Sequence, residues 1–301
     1  MSSDELLGGR YRLENIAGHG GMATVFAATD TTLNRTVAVK ILARRHDSGG
    51  VVEQRFRREA FSEASVVHPN VIAVHDIGET ADGRPFIVME FVEGRTLADL
   101  LAEGALPSER VAMLGTGLAR ALAAAHEAGV VHRDVKPANV MIDAHGLPHL
   151  TDFGLARAID EHESDLTSPG TLLGSAHYVS PEQARYGTST ARSDLYSLGA
   201  LLYHAAAGEP PFPGQSPIDI ALRRFEEDPP DLVVRVRDVD PFLAALIHTL
   251  MAREPEERPE NAHAVAERML DIAARLRALR TSADVMEMTA HTLEDPSSPR
   301  A

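Results

Sequence analysis

Between Ile16 and Val25 the chain reads Ile-Ala-Gly-His-Gly-Gly-Met-Ala-Thr-Val, a glycine-rich turn joining two β-rich runs. Without side chains at Gly18, Gly20 and Gly21, a hairpin can lie over phosphate groups and present its backbone N–H groups to them. Val25 sits where an apolar side chain can cover a nucleobase. Further on, Val37-Ala38-Val39-Lys40 alternates so that Ala38 and Lys40 share one face of a strand. A lysine inside an apolar strand is costly unless a carboxylate and an anionic ligand meet it. Glu59, in Arg57-Arg58-Glu59-Ala60, is the candidate carboxylate. Taken singly, the glycines also read as an ordinary hairpin turn, Lys40 as a snorkelling edge-strand lysine and Glu59 as a solvated helix residue; the remaining pattern has to choose between these and a phosphate site.

Three later segments complete a pattern: His132-Arg133-Asp134-Val135-Lys136-Pro137-Ala138-Asn139, Asp152-Phe153-Gly154, and Ser180-Pro181-Glu182. In this order, after the glycine loop and the strand lysine, the chain resembles the protein kinase superfamily, and most closely the bacterial Hanks-type (eukaryotic-like) serine/threonine kinases. The resemblance implies an α+β, bilobal fold over residues 11–272. A small lobe (11–93) would carry a five-stranded antiparallel sheet and one helix, and a larger, mainly helical lobe would span 94–272. Residues 1–10 would be an N-terminal segment, and 273–301 a helix end followed by a disordered tail.

Phosphoryl transfer needs positioning and charge neutralisation more than covalent catalysis, and the resemblance assigns those tasks. Asp134 accepts the hydrogen bond, and then the proton, of a substrate hydroxyl, and Lys136 steadies the γ-phosphate. Lys40 holds the α- and β-phosphates and is itself fixed by Glu59. Asn139 and Asp152 offer hard oxygen ligands to Mg²⁺, with Mn²⁺ as an alternative. ATP lies against Ile16, Ala17, Gly18, His19, Gly20, Gly21, Met22, Ala23, Thr24 and Val25. Its adenine is sandwiched by Val25, Ala38 and Met141, passes the gatekeeper Met89, and takes backbone hydrogen bonds from Glu90 and Val92. His132, Phe153, Ser175, Glu182, Asp194 and Arg258 are structural: Asp194 anchors the catalytic-loop backbone, and Glu182 pairs with Arg258.

Lys136, two residues after Asp134, and Gly174-Ser175 before the Ser-Pro-Glu segment are the serine/threonine form of the pattern. The long Ser-Pro-Glu segment implies a platform for a polypeptide, which disfavours a small-molecule kinase. Arg133 directly before Asp134 implies activation by phosphate on the activation loop, with Thr167 and Thr171 as autophosphorylation sites. Arg10 and Asp76 fall where similar bacterial kinases can form a back-to-back dimer. The rival reading is a pseudokinase acting as a nucleotide-binding module; the complete set Lys40, Glu59, Asp134, Asn139 and Asp152 favours catalysis. Two positions depart from the pattern. Ala23 replaces the third glycine, and Glu63 stands one helical turn beyond Glu59 where an apolar or small residue is usual. A desolvated carboxylate there is expected to weaken the active helix position or compete for Lys40, lowering basal activity.

The elements that must position these residues follow from periodicity. Tyr11–Ala17, Thr24–Thr29, Thr36–Leu42, Val71–Ile77 and Pro85–Phe91 read as strands separated by turn signals. Val51–Val67 has helical spacing and stops at His68-Pro69. A long helix starts near Pro107 and ends at Gly129, and Thr190–Ala207, Pro217–Glu227, Pro241–Ala252 and Ala262–Leu279 read as further helices.

Composition excludes several other classes. The 301 residues carry no cysteine, which removes disulfides, thiol nucleophiles and cysteine-based metal sites. A formal charge of −15 argues against nucleic-acid binding, which needs a positive field over phosphates. The best apolar run, Leu198 to Ala207, falls short of the roughly 18 residues of a membrane span. The N-terminus lacks a signal-peptide pattern. The expectation is a soluble, cytoplasmic chain.

Overall fold

The computed structural model describes residues 6–19, 23–43, 60–153, 176–214 and 216–294, without the side chains of 283–294. Five strands form the small lobe: β1 (Tyr11–His19), β2 (Ala23–Asp30), β3 (Arg35–Leu42), β4 (Val74–Glu79) and β5 (Pro85–Glu90). They pair antiparallel in the order β1-β2-β3-β5-β4. Alternation along β3 builds both faces of this sheet. Val37, Val39 and Ile41 pack with Tyr11, Ala28, Phe86 and Val88 on one face. Ala38 and Leu42 join Ala60, Ile72, Ile87 and Met89 on the other. The second face looks into the cleft, and Lys40 lies between Ala38 and Leu42 on it. Residues 60–64 are helical, while 51–59 of the expected Val51–Val67 helix, Glu59 included, lie outside the described residues.

The expected strand Val71–Ile77 is shifted. β4 begins at Val74, and Val71 instead bridges Leu150 in parallel. Hydrogen bonds from Ile72 N–H to Leu150 O (2.9 Å) and from Leu150 N–H to Asn70 O (2.8 Å) fasten this segment to the large lobe. Leu150 belongs to a three-stranded sheet, β6 (Gly94–Thr96), β7 (Val140–Asp143) and β8 (Pro148–Leu150), that floors the cleft. At three to four residues each, these strands are too short for sequence periodicity to register. A Cβ on Gly94 would lie 2.0 Å from the Ile142 carbonyl oxygen, so the close approach of β6 to β7 admits only glycine.

The large lobe is helical: α1 (Leu97–Leu101), α2 (Ser108–Glu127), α3 (Pro181–Tyr186), α4 (Ala191–Ala207), α5 (Pro217–Glu226), α6 (Leu232–Arg235), α7 (Pro241–Leu250) and α8 (Ala262–Glu294). Pro107 is the N-cap of α2, and Gly129 takes φ = +75° just past its end. That left-handed conformation is cheap for glycine and lets the chain turn back towards the catalytic loop. α4 is buried almost all round, with Leu198, Leu201, Leu202 and Tyr203 fully enclosed, and forms the axis of the core against α2 and α7. Each such side chain contributes about 1.5–3 kcal/mol on burial.

The last helix runs well past Leu279, to Glu294, over ground expected to be a disordered tail. Its sequence holds no glycine or proline before Pro296. Arg277 and Arg280 reach back to Glu109 at 3.3 and 2.9 Å and tie the helix to the start of α2. Among the described residues, no helix is long and apolar enough to cross a membrane.

Candidate active site

The catalytic loop is hung from a single carboxylate. Asp194, 1% exposed in the first turn of α4, accepts from the backbone N–H groups of His132 and Arg133, both at 2.8 Å. The Nε2 of His126 lies 2.8 Å from the same group. Arg133 takes φ = +70°, a left-handed turn that allows consecutive N–H groups to converge on one anion. Burial pushes the His132 imidazole below its ordinary pKa against the pull of nearby carboxylates, so the ring is neutral at pH 7. Its Nδ1 accepts from the Asp134 N–H (3.2 Å), its Nε2 donates to Thr151 O (3.0 Å), and its ring stacks on Phe153 at 4.5 Å.

Asp134 and Lys136 are thereby brought together in the cleft, with Oδ2 and Nζ 2.7 Å apart and both side chains less than a fifth exposed. Asn139, in a short 3-10 turn, donates its Nδ2 to Asp134 O (2.8 Å) and Asp134 Oδ2 (3.0 Å). The asparagine fixes the aspartate and still has an amide oxygen to offer. Across the cleft, Lys40 Nζ contacts Asp152 Oδ1 at 2.5 Å. Burial works to raise the Asp152 carboxyl, but the charge and hydrogen bond of Lys40 outweigh it and hold the group below its usual range. Asp152 takes φ = +63°, and its N–H donates to Glu63 Oε1 at 3.2 Å. The carboxylate flagged in the sequence as out of place therefore has a backbone donor.

The residues expected to meet adenine also converge. Ala38 and Met89 are buried in one apolar cluster, against which Val25, Val92 and Met141 pack. The Glu90 N–H is bonded to Ala73 O at 2.8 Å. Ile16, Ala17, Gly18 and His19 lie on β1, with Ala23, Thr24 and Val25 opposite on β2. Gly20, Gly21, Met22, Gly154, Thr167, Thr171 and Ser175 lie outside the described residues.

Asn139 and Asp152 supply two neutral or anionic oxygens on facing segments. That set suits Mg²⁺, a hard cation held by one or two side chains plus substrate phosphates instead of by a full protein cage.

The peptide side of the cleft is braced by a buried ion pair. Arg258, with its side chain 0% exposed, meets Glu182 through two parallel bonds of 2.7 and 2.9 Å. Ser193 Oγ donates to the same carboxylate at 2.7 Å. Burial opposes ionisation, yet Arg258 and Ser193 hold the Glu182 carboxyl at about 2 against an ordinary 4.5.

Several positioning residues escaped the sequence reading. His126 reaches Asp194 from the last turn of α2, and Gln183 Nε2 donates to Arg133 O at 3.1 Å. Buried Arg224 donates to Ala176 O from α5. Only Gln183 left a local signal, as the fourth residue of a Ser-x-x-Gln capping box at Ser180.

A β-lobe over a helical lobe, with Asp134, Lys136 and Asn139 on one side of the cleft and the Lys40–Asp152 pair on the other, is the arrangement of a phosphotransferase of the kinase type. The chain matches the protein kinase domain family over residues 11–270 and belongs to it. Within that family it is similar to bacterial Hanks-type serine/threonine kinases. It is 42% identical to the serine/threonine-protein kinase PknB of Mycolicibacterium smegmatis, over 87% of this chain and 43% of that protein. PknB of Mycobacterium tuberculosis is 41% identical over 87% of this chain and 42% of that protein. The kinase domain of Mycobacterium tuberculosis PknI superposes with a TM-score of 0.69 at 26% identity, covering 90% of this chain and 99% of that domain. The chain spans about two fifths of the length of the curated relatives it matches.

Proposed function

We propose that this chain is an ATP-dependent protein serine/threonine kinase. The observation that carries the reading is the joint placement of Asp134, held by Asn139 and paired with Lys136 at 2.7 Å, opposite the Lys40–Asp152 pair. Asp134 accepts the hydrogen bond of a Ser or Thr hydroxyl and takes its proton as the oxygen attacks the γ-phosphorus of ATP, while the bond from that phosphorus to the β–γ bridging oxygen breaks and ADP leaves. Lys136 balances charge on the transferring group, and Lys40 neutralises the α- and β-phosphates while orienting Asp152. A bound divalent cation, Mg²⁺ or Mn²⁺, would supply charge neutralisation of the phosphates. Asp152 and Asn139 are the residues that would hold it. The fixed backbone around His132, Arg133 and Asp194 supplies preorganisation, so little reorganisation is needed at the transition state.

Substrates are proteins that present a hydroxyl to the surface formed by 176–186. Arg133 and the phosphosites Thr167 and Thr171 make activation by autophosphorylation the proposed control. Ser175 as structural support and Glu59 as a partner of Lys40 belong to the same proposal, and both lie outside the described residues. Arg10 and Asp76 lie 3.5 Å apart at the edge of the small lobe, where Arg10 also pairs with Asp30 and Asp76 accepts from Tyr11. A homodimer through this edge is the proposed assembly.

The test is incubation with Mg²⁺ and γ-labelled ATP beside an Asp134→Asn variant. Label taken up by the wild type and lost in the variant, with phosphate mapped at Thr167 or Thr171, is the expected result. Retention of label by Asp134→Asn would overturn the assignment, and absence of label from both proteins would move the reading to a nucleotide-binding pseudokinase.

A further inference from the structure

Glu63 lies in the last turn of the 60–64 helical stretch, where its carbonyl accepts from the Val66 N–H at 3.0 Å. It is only 4% exposed. A carboxylate so deeply placed is unfavourable unless donors surround it. One donor is the Asp152 N–H, at 3.2 Å. The backbone on the N-terminal side of Asp152 is already committed: Thr151 N–H goes to Asn139 O (3.0 Å) and Thr151 O receives His132 Nε2 (3.0 Å). On the C-terminal side, Phe153 is buried against His132. Between these anchors, Asp152 turns through φ = +63°, a conformation that is strained for a residue with a Cβ and persists only where neighbours hold it. Glu63 is the neighbour that takes the N–H this turn exposes.

We propose that Glu63 is a positioning residue for Asp152: by accepting the Asp152 N–H it fixes the turn from which that carboxylate reaches both Lys40 and the divalent metal. The proposal rests on the assignment of Asp152 as a metal ligand made above. Two carboxylates then divide the work on one segment. Glu63 holds the backbone, which leaves the Asp152 side chain to Lys40 and the cation. The same contact makes the helix bearing Glu63 a direct support of the metal site, so displacement of that helix withdraws the acceptor.

The experiment compares the whole chain with Glu63→Gln, which keeps an acceptor oxygen, and Glu63→Leu, which keeps bulk without one. Glu63→Ala repeats the second question in a smaller side chain should leucine fail to fold, as judged by circular dichroism. Two quantities are read: amide hydrogen exchange at Asp152 in the unliganded protein, and the enhancement by Mn²⁺ of the affinity for a non-hydrolysable ATP analogue. Glu63→Leu or Glu63→Ala is expected to speed exchange and cut the enhancement by about tenfold, as for one hydrogen bond to a charged acceptor. Glu63→Gln is expected to stay within about twofold of wild type on both. Wild-type exchange at Asp152 in the leucine or alanine variant would overturn the proposal, and so would equal losses in Glu63→Gln. An Asp152→Asn variant isolates the underlying assignment. If it keeps the Mn²⁺ enhancement, the metal-ligand reading fails, whereas the exchange result at Asp152 still judges Glu63 independently.

Discussion

Replacing Glu182 by glutamine leaves a fully buried guanidinium facing a neutral amide. The magnitude follows from the environment of the carboxylate. A carboxyl that is 14% exposed and held at about 2, against an ordinary 4.5, is stabilised as the anion by about 3 kcal/mol. Breaking a buried pair by removing one partner costs about 3–5 kcal/mol, which agrees. The lower end applies, because Arg258 keeps the carbonyl oxygens of Ala252 (2.9 Å), Arg192 (2.9 Å) and Arg253 (3.1 Å). Since the folded-state pKa is depressed, this stability is fully present above the unfolded value near 4.5 and disappears as pH falls towards 2. Urea unfolding of Glu182→Gln at pH 7 should therefore show a loss of about 3 kcal/mol, or a fall in Tm of about 6–12 °C. The difference from wild type should close as pH drops below about 4.5. A loss under about 1 kcal/mol at pH 7, or a difference that does not change down to pH 3, would refute the reasoning.

Two further outcomes follow from other contacts. Asp194→Asn puts an N–H₂ group among the His132 and Arg133 N–H donors and should swing the catalytic loop, lowering kcat by about 10²-fold while KM for ATP holds; steady-state kinetics check this, and an equal rise in KM for ATP would contradict it. His204 accepts from Tyr178 O–H at 2.7 Å, and burial, with the nearby His177, drops its pKa from 6.5 to about 4. It folds neutral, so its contribution is present above about pH 6.5 and is lost as pH falls towards 4. His204→Asn should flatten that limb of the stability profile in urea titrations between these pH values.

The sequence by itself determined which groups are candidates for the chemistry and roughly where the main elements lie. Lys40, Asp134, Lys136, Asn139 and Asp152 stand out in the sequence by type and spacing, and the fold brings them together as the Asp134–Lys136–Asn139 group and the Lys40–Asp152 pair. Four of the five strands of the small lobe and the longer helices from Pro107 onward were visible because alternation and helical periodicity are local properties, bounded by proline and glycine, whereas β4 was shifted and the short α3 and α6 were missed. The expected ending of the last helix failed for a related reason: polarity suggested a tail, while an unbroken run without glycine or proline, tied to Glu109, continued as helix to Glu294.

Tertiary structure alone decided how those groups are held. His126 meets Asp194 across 68 residues of chain, Gln183 meets Arg133 across 50, and β6 pairs with β7 across a similar gap. Such contacts leave no period in the sequence, since their partners are chosen by folding and not by spacing. Glu63 shows the difference most directly. In the sequence it is a carboxylate in an apolar column; in the fold it faces a backbone N–H that exists as a donor only because Asp152 turns through a positive φ. The cost of burying a charge was legible from its residue type, but its compensation depended on a backbone dihedral angle 89 residues away, which no local pattern encodes.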